Sequence, residues 1–312
     1  MTTVKQSKKN RNKNNKTKKP IKKTRKGENT RSRAFKKANC APSADKKDYT
    51  CYSDSALIKM RNLWNARHPD HKIQVDSPHE IWKQLKGNMQ DVCDIETCWL
   101  NQQFIANNVD KELANYTFTP KSPKSWNKNP TEWLSSVDIE NVMKQYEKTY
   151  KCFDFIGPSP IDFDTKELYG KCVWEELCHF DLKKHIAKGK NKIGIIFNTD
   201  PHYLSGSHWI SLFINIKKGF IFFFDSNGDT VPKEITVLCD RIIQQAKALS
   251  IDLVFKQNAP MEHQYENTEC GMYSLYFIIG MVTDKHDYTY FMKHRIPDGN
   301  MKQMRLKYFN KG

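Results

Sequence analysis

A cysteine at the start of an apolar helix is the most chemically suggestive feature of this 312-residue chain. Cys270 precedes Gly271 and an apolar run that extends from Met272 to Val282. The N-terminal end of a helix dipole favours an anion, and the thiolate is the nucleophilic form of cysteine. Because the run is apolar nearly all round, it predicts a buried central helix that holds the sulfur rigidly. This pattern predicts a nucleophilic cysteine.

A histidine and an aspartate upstream could complete a nucleophilic site. His208 begins the apolar segment HWISLFINI, and Asp225 ends the apolar run GFIFFFD, where a charge is costly unless it is paired. The residues between these segments predict a hairpin with its turn at 217–219. A loop of two or four residues places Asp225 diagonal to His208 on the same face of the hairpin. A loop of three residues places the two side chains on opposite faces, unless a β-bulge shifts one strand by a residue. The catalytic interpretation therefore predicts a loop with an even number of residues, or a bulge.

A glutamine is a third candidate for this centre. Gln264 lies six residues before Cys270. Its side-chain amide could donate a hydrogen bond to an oxyanion, beside the backbone N–H of Cys270. The alternative is an ordinary loop glutamine in contact with solvent.

The charge of the chain is concentrated at its N-terminus. The formal net charge is +16, yet residues 1–40 contain sixteen Lys or Arg residues and one acid, Glu28. The other residues carry 35 basic and 34 acidic side chains, which is typical of a near-neutral globular protein. We expect residues 1–44 to form a disordered basic tail, because they hold too little apolar surface to offset the entropy of ordering. Residues 1–40 could bind DNA or another polyanion, act as a nuclear address, or only increase solubility.

The nine cysteines and the absence of long apolar segments bear on the cellular location of the protein and on the redox state of its thiols. The N-terminus has no apolar signal region and no stretch is long enough to span a bilayer, so we expect neither secretion nor membrane insertion. We therefore expect an intracellular protein with reduced thiols. The Cys93/Cys98 and Cys172/Cys178-His179 groups lack the paired short spacing of a zinc ribbon, and we expect no metal and no other cofactor.

The apolar periodicity predicts an α+β fold with a mixed central sheet. It predicts helices over 53–67, from 77 onward, and over 95–106, 133–146, 171–185, 232–249, 270–282 and 298–308. It predicts strands over 192–198, 208–216, 219–225 and 251–257. The middle strands are apolar on both faces, so we expect the sheet to be covered on both sides. We expect residues 45–116 to form a helical arm and residues 117–312 to form the core, with a proline-rich linker at its start.

These residues resemble a known group of enzymes. The order His208-Trp209, Asp225-Ser226, Gln264 and Cys270-Gly271 is similar to that of the ubiquitin-like-protein-specific (SUMO) cysteine proteases and the adenovirus protease. The Trp133-Leu134 pair resembles the Trp-Leu motif near the start of their catalytic domain, and the resemblance covers roughly residues 130–285. The N-terminal helical region and the C-terminal segment look most like the thiol proteases of nucleocytoplasmic large DNA viruses. Glu269 stands where many relatives have aspartate.

The resemblance implies an adenain-like core and a role for each residue. Cys270 would be the nucleophile, His208 the base and acid, Asp225 the group that orients the histidine, and Gln264 the oxyanion donor. Trp209 and Trp133 would be two substrate-binding indoles that flank a Gly-Gly substrate, because only glycine lacks a side chain that would clash between two rings. The alternative role of each indole is core packing.

The sequence therefore predicts a cysteine endopeptidase that cleaves after glycine at Gly-Gly or Gly-X-Gly sites, with protein substrates that carry such sites. In the viral interpretation it matures structural precursor proteins and is located in the virion or inside the host cell, in the cytoplasm or nucleus. One alternative is a protease that removes a SUMO-like or ubiquitin-like modifier. A second alternative is a non-catalytic protein that binds ubiquitin-like tails or nucleic acid.

Overall fold

A five-stranded mixed sheet forms the centre of the structure, a computed structural model that describes residues 35–45, 47–108 and 111–312. The strands follow one another across the sheet in chain order: β1 (Phe153–Pro160), β2 (Lys192–Asn198), β3 (Trp209–Asn215), β4 (Phe220–Phe224) and β5 (Val254–Gln257). Strands β2, β3 and β4 are antiparallel, whereas β1 and β5 run parallel to their neighbours. This sheet confirms the predicted α+β class.

Helices surround the sheet and build the N-terminal region. They are α1 (Asp54–Arg67), α2 (Pro78–Met89), α3 (Gln103–Ala106), α4 (Lys111–Tyr116), α5 (Ser136–Thr149), α6 (Glu175–Cys178), α7 (Leu182–Ala187), α8 (Lys233–Ala248), α9 (Cys270–Val282), α10 (Tyr288–Lys293) and α11 (Asp298–Tyr308). Single 3₁₀ segments occupy Glu96–Asn101, Lys124–Asn127 and Leu168–Gly170. Over the described ranges, no helix has both the length and the apolar character needed to cross a bilayer.

The two faces of the sheet are covered by different helices. Side chains that alternate along β3 and β4, such as Phe213 and Phe222, pack with α9 and α5 in one apolar cluster. Their neighbours, such as Leu212 and Phe223, pack with α8 in a second cluster on the other face. Every residue of β3 and β4 is buried, so the expected two-sided cover is present.

Several sequence-based expectations differ from the structure. The strand predicted over 251–257 begins only at Val254, and the helix predicted over 133–146 spans Ser136–Thr149. The sequence interpretation did not include β1, because glycine and two prolines interrupt its apolar pattern. The single helix predicted over 171–185 is instead two short helices, α6 and α7, that follow a tight loop. The helix predicted over 95–106 begins as a 3₁₀ segment before α3. In each case, non-local contacts rather than local periodicity set the backbone path.

Gly157 explains how β1 accommodates its irregular sequence. The residue has a φ of 109°, and the register between β1 and β2 shifts between Ile156 and Ser159. A Cβ atom at position 157 would lie 2.8 Å from the carbonyl oxygen of Ile196. Glycine therefore allows the bulged strand to stay against β2.

The N-terminal helices have their own apolar cluster. Tyr52, Trp82 and Trp99 are buried there with residues from Ala38 to Phe118. The predicted tail ended at residue 44, and most of it lies outside the described residues. Its described part, residues 35–44, contradicts the predicted disorder, because Ala38 is buried in this cluster and Asn39 is hydrogen-bonded to α11 and its following residues. Contacts over long sequence separations, which composition does not reveal, order these residues.

The expectation of reduced thiols is wrong for three pairs of cysteines. The structure contains the disulfides Cys40–Cys51, Cys93–Cys98 and Cys172–Cys178, whereas Cys152, Cys239 and Cys270 are free. Each pair is close in sequence, and the local fold brings the two sulfurs together. The spacing argument considered only zinc-type patterns and did not consider short-range pairing.

Replacing Phe277 by alanine should destabilise the protein, because its ring is fully buried on α9 against Phe224 (4.8 Å between ring centroids) and Phe291 (5.0 Å). We expect the free energy of unfolding to fall by about 3–5 kcal/mol, as for other buried aromatic truncations. Urea denaturation measures this loss. The control Val237→Ala, on the exposed side of α8, should change stability by less than about 0.5 kcal/mol. Equal losses in the two variants would contradict the packing that we describe.

Candidate active site

The hairpin of β3 and β4 brings His208 and Asp225 together. Its register pairs Ser211 with Phe224, and the loop between the strands contains the four residues 216–219. The imidazole Nε2 of His208 lies 2.7 Å from Oδ1 of Asp225. The even loop that the catalytic interpretation predicted is therefore present.

Cys270 completes the arrangement from the other side of the histidine. The residue begins α9, is buried, and is one of the groups that raise the pKa of His208. Because Nε2 of His208 contacts Asp225, Nδ1 is the ring nitrogen that remains for another partner. An aspartate, a histidine and a cysteine are the groups that cysteine nucleophilic catalysis commonly uses as orienting group, base and nucleophile.

The surroundings favour the charged form of His208. Burial lowers the pKa of the imidazole, but the hydrogen bonds to Asp225 and Cys270 and the charges of both groups outweigh burial and raise this pKa to about 10. At neutral pH the histidine is therefore an imidazolium next to the sulfur. An imidazolium in this position stabilises a thiolate, which is the reactive form.

Asp225 is held by an asparagine that the sequence interpretation did not identify. The buried Asn258 accepts a hydrogen bond from the Asp225 backbone N–H (2.9 Å) and donates one to the Asp225 carbonyl (2.7 Å). The backbone N–H of Asn227 donates to Asp225 Oδ1, the oxygen that contacts His208. These bonds fix the carboxylate in a site where it is only 4% exposed. Asn258 lies 33 residues from Asp225, so no local motif links the two.

Gln264 lies in the loop next to Asp225 and before α9. Its backbone N–H donates to the carbonyl of Ser226 (2.9 Å), and the Ser226 hydroxyl donates to its side-chain Oε1 (2.9 Å). The residue is buried, which excludes the alternative of a solvent-exposed loop glutamine. The bond to Oε1 fixes the orientation of the amide and leaves its NH₂ group to donate elsewhere.

Trp209 and Trp133 are in different environments. Trp209 is buried, and its indole N–H donates to the carbonyl of Leu134 (3.0 Å). Trp133 is 43% exposed. A Cβ atom on Gly271 would lie 3.0 Å from the Leu134 side chain, so this glycine allows the Trp133-Leu134 segment to pack directly on the residue after Cys270. This packing gives a physical reason for glycine at position 271.

A cleft of about 880 Å³ lies along this segment. Both indoles, Trp133 and Trp209, contribute to its lining, as does Gly206 on the other side of His208 in sequence. The charged residues that line it are the acids Glu132, Asp138, Glu167 and Asp200. The cleft lies beside Trp209, the residue after His208.

Cys172, Cys178 and His179 are the described residues with the spacing of metal ligands, with ligand atoms within 4.8 Å of one another. The two cysteines form a disulfide, so neither sulfur is available as a thiolate ligand. This group is separate from the His208, Asp225 and Cys270 arrangement.

A comparison with protein families gives an independent match. A model of the Ulp1 protease family, C-terminal catalytic domain, matches residues 141–311, which is more than half of the chain and includes all four polar residues of the candidate site.

Similar proteins come from large DNA viruses. A protein of Acanthamoeba polyphaga mimivirus that is named a thiol protease is 29% identical over 265 residues, 78% of this chain and 84% of that protein. A cysteine protease of African swine fever virus is 26% identical over 250 residues, 74% of this chain and 89% of that protein. Another isolate of that virus has a similar protein that is named a SUMO-1 cysteine protease, also 26% identical over 250 residues.

The fold has a counterpart among solved structures. The crystal structure of an African swine fever virus protease superposes with a TM-score of 0.62 at 22% identity, over 88% of this chain and 96% of that one. This similarity supports the fold and includes the N-terminal helical region.

Replacing Asp225 by asparagine should lower the pKa of His208 from about 10, because it removes the charge and weakens the hydrogen bond that oppose burial. NMR titration of the imidazole measures this shift. The pKa of His208 in the folded state is raised above its unfolded value of about 6.5. The stability that the His208–Asp225 pair contributes is therefore fully present below pH 6.5 and is lost as pH rises towards 10. We expect the variant to lose this pH dependence. An unchanged titration of His208 would contradict the role of Asp225.

Proposed function

The chain belongs to the Ulp1 protease family and is a cysteine protease, and from this premise we propose that it is an endopeptidase that cleaves after glycine in viral structural precursor proteins. One observation carries the proposal. The His208 imidazole is hydrogen-bonded to Asp225, and its pKa is raised by Asp225 and by Cys270, the first residue of a buried helix. The preferred sites are of the Gly-Gly or Gly-X-Gly type.

In the proposed reaction, the Cys270 thiolate attacks the carbonyl carbon of the scissile glycine. The backbone N–H of Cys270 and the amide NH₂ of Gln264 donate hydrogen bonds to the oxyanion that forms. His208 then gives its proton to the leaving amine as the C–N bond breaks, and a thioester on Cys270 remains. Water attacks the thioester while His208 accepts its proton, which releases the acid product and the free cysteine. Asp225 holds the imidazole in the required orientation and stabilises its charge.

The two indoles support the preference for glycine. Trp133 and Trp209 both line the cleft, and Trp209 is fixed by its hydrogen bond to Leu134. A strand of peptide that passes between rings can approach closely only if its residues lack large side chains. Relatives from mimivirus and African swine fever virus support a viral substrate, and we propose that the protein acts within the virion or the infected host cell.

A second candidate function is the removal of a SUMO-like modifier from its conjugates. The name of the SUMO-1 cysteine protease of African swine fever virus, which is 26% identical to this chain, favours it. The chemistry on Cys270 would be the same, and only the protein that presents the glycine tail would differ.

Cys270→Ala should abolish cleavage of Gly-X-Gly precursor proteins, with a loss of at least about 10³-fold, because the covalent step has no other nucleophile. A Gly-Gly peptide with a vinyl electrophile should label the wild type on Cys270. Mass spectrometry and cleavage assays measure both effects. Cys239 serves as an internal control, because burial, with Asp240 nearby, raises the pKa of its thiol to about 12 and should leave it unlabelled.

The substrate proteins separate the two functions. Cleavage of precursors with little release of a SUMO-like modifier supports the first proposal. Release of the modifier without cleavage of precursors supports the second. If the wild type neither reacts with the electrophile nor cleaves either substrate, both proposals fail. Cys152→Ala is the matched control and should keep wild-type labelling, since Cys152 is free and only partly buried.

We also propose that residues 1–40 bind DNA or another polyanion through their sixteen basic side chains. Deleting residues 1–33 should remove most salt-sensitive DNA binding and leave peptide cleavage within about twofold, because binding of this kind depends on neutralised phosphates. The deletion stops before Ala38 and Asn39, which belong to the packed fold. Fluorescence anisotropy over a range of salt concentrations measures the slope. An unchanged slope would exclude the tail as the DNA-binding segment.

A further inference from the structure

A buried arginine on α11 connects two segments that meet at the candidate active site. The Arg305 side chain is 4% exposed. Its Nε and Nη2 both donate to Oε2 of Glu269, at 3.2 and 2.9 Å, and its Nη1 donates to the backbone carbonyl of Glu132 at 2.8 Å. The guanidinium also stacks on the ring of Trp126, 4.4 Å from its centroid. All four contacts join elements that are far apart in the sequence.

The first contact holds the turn that carries the nucleophile. Glu269 is the residue directly before Cys270 and the N-cap of α9, and its side chain is fully buried. No side-chain cap fixes this turn, since Glu269 makes no capping hydrogen bond and the hydroxyl of Thr268 has no partner. The Asp298 carboxylate accepts the backbone N–H groups of Tyr265 and Glu266 earlier in this loop, and the Glu269–Arg305 pair anchors the residue next to Cys270.

The second contact holds the Trp133-Leu134 segment, which we call the Trp133 wall. Glu132 directly precedes Trp133 and Leu134, and Leu134 packs on Gly271 and accepts the indole N–H of Trp209. A single planar guanidinium, that of Arg305, therefore binds Glu269, which precedes Cys270, and Glu132, which precedes the Trp133 wall. Arginine suits this role because its fork presents several donors in a fixed geometry, which a lysine cannot do.

The charges indicate a role in geometry rather than in stability alone. Burial raises the pKa of Glu269, and the positive charge of Arg305 opposes that effect. A buried ion pair is costly to desolvate, and apolar side chains of similar size often stabilise a fold equally well. A directional pair is useful where the position of two segments must be set.

The far end of α11 is also fixed. Asn310 donates to the carbonyl oxygens of Asn39 (2.9 Å) and Thr119 (3.2 Å), and its own Oδ1 accepts the backbone N–H of Asn39 (2.7 Å). The helix is therefore held against the N-terminal region, which gives Arg305 a rigid base.

We propose that Arg305 is a positioning residue that sets the separation between the Cys270 turn and the Trp133 wall. It touches neither substrate nor sulfur and acts through Glu269 and Glu132. The inference rests on the proposed peptidase function and adds to it the element that sets the width of the substrate passage.

Three variants test this role. The concentration of active enzyme is first measured by labelling Cys270 with the Gly-Gly vinyl electrophile. Because kcat and KM are then calculated from that concentration, unfolded protein does not affect them. Arg305→Met should reduce kcat/KM by about tenfold or more, because small displacements of reacting groups are costly. Arg305→Lys can still pair with Glu269 but cannot also reach the Glu132 carbonyl. It should raise KM about threefold or more while kcat stays within about twofold. Lys302→Met is the matched control on the same helix. It removes the exposed pair with Glu266 and leaves both Arg305 contacts in place, so both constants should stay within about twofold.

A double variant keeps the test decisive if Arg305→Met does not fold. Glu269→Gln/Arg305→Met removes both charges and avoids an unpaired buried carboxylate. If Arg305 positions the two segments, kcat/KM of the double variant stays about tenfold or more below that of the wild type. If the double variant, or Arg305→Met itself, has kcat and KM within twofold of the wild type, the inference is overturned. A wild type that the electrophile does not label would overturn the proposed function, and this inference with it.

Discussion

The burial of α9 is the constraint on which the rest of the structure depends. This helix is apolar on almost every side, and twelve of its thirteen residues are buried, so it is stable only when other elements enclose it. Strand β3, helix α5 and helix α11 pack around it. The enclosed helix places its first residue, Cys270, near the polar groups at the end of the sheet. The fixed position of Cys270 thus follows from the hydrophobic core.

Polar groups at that end of the sheet lie in apolar surroundings and must satisfy one another. His208 and Asp225 are paired directly, Asn258 bonds the backbone N–H and carbonyl of the aspartate, and the backbone N–H of Asn227 donates to its Oδ1. The Ser226 hydroxyl and carbonyl hold Gln264 in the same way. Such a network keeps each group in one orientation, because any other orientation would leave a buried polar atom without a partner. The preorganisation that the proposed chemistry needs is therefore a consequence of hydrogen-bond satisfaction.

The position of the Trp133-Leu134 segment beside Cys270 depends on contacts between distant parts of the chain. The Trp133-Leu134 segment is held by Gly271, by the indole of Trp209 and by Arg305 through Glu132. Helix α11, which carries Arg305, is in turn bonded to residues near the described N-terminus through Asn310. The similarity to a solved viral protease over 88% of the chain includes this region, which is consistent with one continuous structure.

The sequence alone determined the features that local pattern controls. The limits of β2 and of α11 agree with their predicted ranges, and the hairpin parity that brings Asp225 to His208 was available from spacing, because side chains alternate strictly along a strand. Cys270 at the start of an apolar helix was likewise evident from periodicity. These signals arise from neighbours along the chain.

Only the tertiary structure revealed the features that depend on distant partners. Strand β1 is present because β2 supplies its hydrogen bonds despite a glycine and two prolines. The Asn258 support of Asp225 and the Arg305 pair with Glu269 join residues whose spacing carries no periodic signal. A hydrogen bond or an ion pair depends on distances of about 3 Å in space, and residues 33 or 36 positions apart reach that distance only after the whole core has folded.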